Sequence, residues 1–117
     1  MVLDPANAGR LSDRAEALLY AADRAEHVAC VVRPALERGE VVLTDRYVDS
    51  SIAYQGVGRG LGAQAVAELS AFATGGLVPG MTVVLDIPAG VGRGRFDSAD
   101  RLESEPAEFH ERVRRAF

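Results

Sequence analysis

The chain has 117 residues, of which 48% are hydrophobic and 26% are charged, and its formal net charge is −4. This length allows one domain at most, and the balance is that of a folded rather than a disordered protein. The negative charge argues against broad binding to nucleic acid or to anionic membranes. Cys30 is the single cysteine, so no disulfide can form within the chain, and we expect its thiol to be buried in a helix.

The amino terminus shows no charged stretch followed by an apolar segment, and no apolar run approaches the length of a membrane span. We therefore expect a cytoplasmic protein without a membrane partner.

The first predicted element is a long helix. Ser12 or Asp13 can act as its N-cap, and Glu16 would complete a capping box. Apolar residues then recur at steps of three and four, which is typical of one helix face. This apolar stripe consists of Leu18, Ala22, Ala25, Ala29, Val32 and Leu36. We expect Pro34 to kink or restart the helix and Gly39 to follow its last turn.

Two strands and further helices are predicted downstream. The strands are the apolar runs 41–44 and 81–86. The helices are a short one over 49–54, one over 63–73 that ends at Gly75-Gly76, a short one after Pro88, and a last one carrying Phe109, Val113 and Phe117. This alternation is expected of a parallel α/β sheet. Because two parallel strands leave both sheet edges open, the sequence predicts a piece of a larger α/β domain.

Asp45 and Arg46 directly follow the first predicted strand. In open parallel sheets, ligands bind at the carboxyl ends of the strands. A carboxylate there suits a metal cation and a guanidinium suits a phosphate. The alternative is a structural ion pair at a strand end.

Two pairs of polar residues are spaced four apart, so each pair shares one helix face. Tyr20 and Arg24 form the first pair, and an aromatic ring beside a guanidinium can stack on a base and bind its carbonyl or phosphate. Ser51 and Gln55 form the second pair. Without a further motif, ordinary surface residues are the favoured explanation of each pair.

Of the two glycine-rich motifs that bind phosphate groups, one is absent from this sequence and the other lacks the strand that has to precede it. All 13 basic residues are arginines, so the Gly-x-x-x-x-Gly-Lys-Ser/Thr motif of a P-loop does not occur in this sequence. The run 58–63 formally matches a dinucleotide fingerprint, but a helix rather than a strand is predicted before it, and we reject that interpretation. We expect these glycines to let the backbone turn close to a nucleotide, with Arg59 adding positive charge.

Two segments resemble those of bacterial thymidylate kinases, and the resemblance covers nearly the whole chain. They are Leu18-Leu-Tyr-Ala-Ala-Asp-Arg24 and the run from Thr44-Asp-Arg-Tyr47 through Asp49-Ser-Ser-Ile-Ala-Tyr-Gln-Gly56. The resemblance implies an α/β, three-layer P-loop NTPase fold like that of nucleoside monophosphate kinases. Residues 1–117 would form a partial domain with two parallel strands and flanking helices. It also implies a homodimer and phosphoryl transfer from ATP to dTMP, giving dTDP, with Mg²⁺ as cofactor.

The resemblance also assigns roles to individual residues. Tyr20, in place of the usual Phe, would stack on thymine, and Arg24 would bind the nucleotide. Ser51 and Gln55 would meet the thymine edge, and Tyr54 would line the same pocket. Arg46 would position the monophosphate, and Asp45 would support the magnesium and phosphate site. Arg95 and Arg101 match the arginines of a lid that is shorter here than is usual in the family.

Two other interpretations remain open from the sequence. One is a non-catalytic remnant of a kinase that binds nucleotide or dimerises within a larger protein. The other is a different nucleoside or nucleotide kinase. The missing P-loop leads us to expect a truncated kinase that is inactive alone.

Overall fold

A computed structural model of the chain describes residues 2–88, 91 and 100–117. After a 3-10 turn at Pro5–Asn7, the helices are α1 (Asp13–His27), a π-helical segment (Val28–Val32), α2 (Arg33–Glu37), α3 (Val48–Ser51), a second π-helical segment (Ile52–Gly58), α4 (Ala63–Thr74) and α5 (Ala107–Ala116). None of the described helices is both long enough and apolar enough to cross a membrane.

The long first helix begins where the sequence predicts. Ser12 is its N-cap, and the Ser12 Oγ accepts the Ala15 N–H at 3.3 Å. The predicted reciprocal bond from Glu16 is wrong, because the Glu16 side chain is fully buried and contacts other partners. A new helical segment begins at Arg33 with Pro34 in its first turn, where a missing N–H is tolerated. Gly39 follows the last turn with a φ of 78°.

The buried face of this helical stretch differs from the predicted apolar stripe. Of the stripe, Val32 is buried and Ala25 is half-buried, while Leu18, Ala22, Ala29 and Leu36 are exposed. The buried positions are Glu16, Ala17, Val28, Val32 and Ala35. The buried face includes a carboxylate, which a search for apolar periodicity does not find; the stripe that such a search does find was open to either the core or a dimer contact. Cys30 is also exposed, contrary to expectation.

The two predicted strands are not assigned as strands, and no β ladder occurs within residues 2–88 and 100–117. Both segments are largely exposed, with Val41 at 94%, Leu43 at 97% and Leu85 at 88%. The parallel two-stranded arrangement therefore stays a prediction. The second segment is attached to α5 by Arg114, whose Nε donates to Asp86 Oδ1 at 2.6 Å.

The helix predicted over 49–54 is longer in the structure, where α3 and the second π-helical segment run continuously from Val48 to Gly58. Helix α4 agrees with its predicted bounds and ends at Gly75, which has the left-handed φ of 59° that favours glycine. Arg33 Nη2 donates to the carbonyls of Thr74 and Gly75 at 3.0 and 3.1 Å. This contact fixes the end of α4 against α2.

A small core forms where α5 packs on the Val48–Gly58 helix. Ala53, Phe109 and Val113 are buried there, with Tyr54, Leu102 and Ala116 packed around them. Phe109 and Val113 confirm the predicted inner face of α5, whereas Phe117 is 50% exposed. This packing positions the Val48–Gly58 helix, which carries several of the predicted site residues.

Candidate functional site

One face of α1 carries three chemically distinct side chains at four-residue steps. These are Glu16, Tyr20 and Arg24, which the helix period places in one row. The Arg24 Nη2 donates to Ser51 Oγ at 3.0 Å, and the Gln55 Nε2 donates to Glu16 Oε1 at 2.8 Å. The two bonds join α1 to the Val48–Gly58 helix in antiparallel order. Tyr20, which is half-buried, occupies the row between them.

Two further rings and two guanidinium groups lie beside this row. The Arg24 guanidinium lies 5.1 Å from the centroid of the Tyr47 ring. The Arg46 guanidinium lies 5.0 Å from the centroid of the Tyr54 ring. Cations within about 6 Å of an aromatic face are attracted by the ring quadrupole. The arrangement provides flat apolar faces for a base and positive charge for an anion.

The backbone at Arg46 is strained. Among the described residues, Arg46 is the only non-glycine residue with a positive φ, at 70°. That region is unfavourable for a residue with a Cβ and typically costs about 1–3 kcal/mol. The Thr44 Oγ1 donates to the Arg46 carbonyl at 3.2 Å, which supports this turn. Strain of this kind often accompanies a functional position.

At the Glu16 end of the row lies a buried charged group that we call the Glu16 cluster: Glu16, Gln55, Arg59 and Arg101. The Glu16 carboxylate is 0% exposed and accepts the Arg59 Nη2 at 3.2 Å and also the Arg101 Nη2. Burial by itself would raise the pKa of Glu16, but hydrogen bonds from Gln55, Arg101 and Arg59 outweigh burial and lower the pKa. Glu16 is therefore ionised at neutral pH.

The Glu16 cluster connects distant parts of the chain. Arg59 also donates to Glu105 Oε1 at 2.5 Å, and its guanidinium lies 5.0 Å from the Phe109 ring centroid. Arg101 is 6% exposed and donates through Nε to the Val2 carbonyl at 2.7 Å. The cluster thereby joins the amino-terminal segment, α1, the Val48–Gly58 helix and the segment that precedes α5.

Burial and the nearby charge of Glu16 raise the pKa of the Tyr20 phenol. Its ring is therefore neutral at physiological pH and available for stacking.

The structure brings most of the predicted site residues together. Tyr20, Arg24, Ser51 and Gln55 are on the two facing helices, and Arg46 lies over Tyr54. Asp45 is exposed beside Arg46. Arg101 and Gln55 contact Glu16. Arg95 lies outside the described residues. The ligand-binding and catalytic roles of all these residues stay predictions.

Sequence reasoning missed Glu16 as a partner of Gln55 and did not find its ion pair with Arg59. Glu16 was interpreted as a helix cap and Arg59 as a charge near a nucleotide, yet they form an ion pair. The available signal was the spacing of Glu16, four residues before Tyr20, on the face that also carries Arg24.

Comparison with known proteins identifies the family. The family model "Thymidylate kinase" matches residues 2–117. The chain therefore belongs to the thymidylate kinase family, whose members have a P-loop NTPase fold.

Several bacterial relatives are close in sequence. The thymidylate kinase of Clavibacter michiganensis subsp. michiganensis is 62% identical over 113 residues, which cover 93% of this chain and 54% of that protein. The thymidylate kinase of Cutibacterium acnes is 55% identical over 117 residues, which cover 100% of this chain and 57% of that protein. That of Lactobacillus delbrueckii subsp. bulgaricus is 50% identical, with coverages of 100% and 57%. The chain thus spans about half the length of the curated relatives it matches.

Proposed function

We propose that this chain carries the acceptor-nucleotide site of a thymidylate kinase, which transfers the γ-phosphoryl group of ATP to dTMP and forms dTDP. The observation that carries the proposal is the row on α1, in which Tyr20 lies between the Glu16–Gln55 and Arg24–Ser51 hydrogen bonds. A neutral aromatic ring flanked by hydrogen-bonding groups has the chemistry needed to recognise a base. Membership of the family supports this interpretation.

In this proposal the base stacks on Tyr20, with Tyr54 lining the same pocket. Arg24 is held by the Ser51 hydroxyl at 3.0 Å, so its guanidinium is oriented before the nucleotide arrives. Its remaining N–H groups can donate to a carbonyl of the base or to the phosphate. Ser51 and Gln55 contact the thymine edge. Stacking on an aromatic ring is worth about 1–3 kcal/mol per base.

The phosphate end of the site is assigned to Asp45 and Arg46. Arg46 binds the monophosphate, since a guanidinium matches phosphate oxygens in geometry and charge. Mg²⁺ needs oxygen ligands and is commonly held by one or two carboxylates together with substrate phosphates, and the exposed Asp45 carboxylate fits that requirement. When bound, the metal would neutralise charge on the transferred group. Arg95 is proposed to add positive charge on the ATP side. Arg101 is 6% exposed and donates to Glu16 Oε2, so the same role for Arg101 would require it to leave the Glu16 cluster.

The domain proposal is that residues 1–117 form part of a three-layer α/β domain. Segments 41–44 and 81–86 would be parallel strands within it, and their exposed apolar side chains are consistent with burial against further strands or helices. Because the sequence contains no Gly-x-x-x-x-Gly-Lys motif, the cradle for the ATP phosphates would come from outside these residues.

A homodimer is proposed through the exposed part of the apolar stripe. Leu18 and Leu36 are 57% and 43% exposed on one side of the long helical stretch, which leaves apolar area to be covered. Analytical ultracentrifugation of the chain and its Leu18→Glu variant tests this proposal. We expect a dimer that the variant dissociates, and a concentration-independent monomer would contradict it.

Arg24 provides the test of the acceptor site. Arg24→Ala removes charge-assisted hydrogen bonds worth about 1.5–3 kcal/mol, so the Kd for dTMP should rise about tenfold to a hundredfold. The Kd for ATP should change far less, because Arg24 is assigned to the acceptor. Isothermal titration calorimetry with each nucleotide measures both values.

The exposed Arg14 offers a matched control on the same helix. Arg14→Ala makes an equal change of net charge and should leave dTMP binding unchanged. Equal losses of dTMP and ATP affinity in Arg24→Ala would contradict the assignment.

A further inference from the structure

Glu16 fixes the orientation of the Gln55 side chain. An ionised carboxylate can only accept hydrogen bonds, so the group of Gln55 that faces Glu16 has to be the NH₂ and not the carbonyl. The observed bond, from Gln55 Nε2 to Glu16 Oε1 at 2.8 Å, has that direction. Both side chains are buried, at 0% and 3% exposure, so water offers little competition for either partner.

The other end of the same amide is the carbonyl oxygen, Gln55 Oε1. Within the described part of the chain, Gln55 Oε1 takes part in no side-chain hydrogen bond, while Nε2 is engaged by Glu16. A carbonyl oxygen is an acceptor, so its complement on a ligand is a donor. The direction of the Glu16–Gln55 bond thus decides which polarity Gln55 presents.

We propose that Glu16 is a positioning residue for base specificity, acting through Gln55; this inference rests on the proposed thymidylate site. With Nε2 held by Glu16, Oε1 accepts the N3–H of thymine. Cytosine carries an unprotonated acceptor at N3, so two acceptors would face each other and a dCMP base is rejected. A site whose buried polar groups are left unpaired by the wrong ligand discriminates strongly.

The two arginines explain why Glu16 can perform this role while buried. Arg59 Nη2 and Arg101 Nη2 donate to Glu16 Oε2, and Arg59 Nε also donates at 3.4 Å to Oε1, the oxygen that accepts Gln55 Nε2. The arginine charges keep the carboxylate ionised, and an ionised carboxylate does not donate to the amide. A neutral amide at position 16 could pair with either end of Gln55, so the preference for one orientation would be lost.

The experiment compares the Kd of dTMP with that of dCMP for the 117-residue chain and two variants. In Glu16→Gln the dTMP preference should fall by at least about tenfold, since one charge-assisted hydrogen bond no longer sets the orientation. Glu105→Gln is the matched control, because it also neutralises a partner of Arg59 and leaves the Glu16–Gln55 bond in place. Its selectivity should stay within about twofold of the unchanged chain.

The outcomes separate the inference from the proposed function. A Glu16→Gln chain that loses affinity for both nucleotides by the same factor overturns the inference and leaves the acceptor site standing. Equal affinity of the chain without substitutions for dTMP and dCMP would also overturn the inference. An unchanged chain that binds no dTMP overturns the proposed function and the inference with it.

NMR of the unchanged chain provides a second readout should Glu16→Gln fail to fold. The signals of the Gln55 side-chain NH₂ are assigned by their absence in Gln55→Leu. We expect these protons to exchange slowly with water and their signals to shift when dTMP is added. Rapid exchange of those protons, or dTMP binding without a shift, overturns the proposal.

Discussion

At the scale of single residues, Glu16 combines complete burial with a lowered pKa. Its carboxylate is 0% exposed, and the hydrogen bonds from Gln55, Arg101 and Arg59 together outweigh the unfavourable loss of hydration. When the pKa of a carboxyl group is lower in the folded state than in the unfolded state, its ionisation stabilises the folded state at pH values above the unfolded-state pKa. This stabilisation disappears as the pH falls through the folded-state pKa.

We therefore expect an acid-sensitive contribution to stability from Glu16. At pH 7, Glu16→Gln should lower the free energy of unfolding by about 3 kcal/mol, because two buried guanidinium groups lose their common partner. Below the ordinary glutamate pKa of 4.5, the difference between the two proteins should shrink as Glu16 becomes protonated. Urea unfolding of both proteins between pH 7 and pH 3 measures this difference in the free energy of unfolding. A difference that stays constant over this range would show that the carboxylate charge is not involved.

The residues proposed to bind the nucleotide lie together largely as the sequence predicts, whereas the buried residue that contacts them was not predicted. Tyr20 and Arg24 share a helix face because of their spacing, and the structure places both on the row beside Ser51. Glu16 belongs to the same row, but its partners Gln55 and Arg101 are 39 and 85 residues away. Local periodicity carries no information about contacts over such separations.

At the scale of elements, the packing of α5 on the Val48–Gly58 helix depends on Gly58. A Cβ built at Gly58 would lie 2.8 Å from Phe109 Cε2 and 2.9 Å from Val113 Cγ2. The Arg112 Nη2 also donates to the Gly58 carbonyl at 3.2 Å. The small residue therefore allows the two helices to approach closely.

We expect Gly58→Ala to destabilise the chain by about 1–3 kcal/mol through overpacking. Helix propensity alone predicts the opposite sign, since alanine is favoured over glycine by about 1 kcal/mol in a helix. At Gly80 an added Cβ meets nothing within 4 Å, so Gly80→Ala is the control and should change stability by less than about 0.5 kcal/mol. Thermal denaturation followed by circular dichroism compares the variants. A Gly58→Ala chain more stable than the parent would contradict this description of the interface.

Prediction of the elements was accurate where local signals suffice. Ser12 and Gly75 mark helix ends through capping chemistry, and both ends are confirmed. The apolar stripe from Leu18 to Leu36 was open to either the core or a dimer contact, and most of it is exposed here; periodicity identifies an apolar side without showing what covers it. The strands 41–44 and 81–86 stay predictions, since strand pairing depends on non-local partners.

At the scale of the whole molecule, the chain covers 54% of its relative from Clavibacter michiganensis subsp. michiganensis. The proposed acceptor site lies within residues 16–55, whereas no P-loop motif occurs in the sequence. Phosphoryl transfer depends on backbone N–H groups and a lysine that position the β- and γ-phosphates of ATP.

We therefore expect the 117-residue chain alone to show no phosphoryl transfer. Arginines can add positive charge, but they do not replace consecutive N–H groups at a helix start. A coupled assay of ADP release with ATP, Mg²⁺ and dTMP should give the rate of the buffer control. Turnover above that control which Arg46→Ala abolishes would reveal a phosphate site within these residues.

The central claim, that residues 16–55 form a dTMP-binding site, is tested most directly by an NMR titration of the isotope-labelled chain with dTMP. We expect saturable chemical-shift changes in Tyr20, Arg24, Ser51 and Gln55, with little change along the outer face of α4. The Arg24→Ala chain should show the same changes only at dTMP concentrations that are higher by about tenfold or more. No saturable shift, or shifts confined to residues away from α1 and the Val48–Gly58 helix, would contradict the claim.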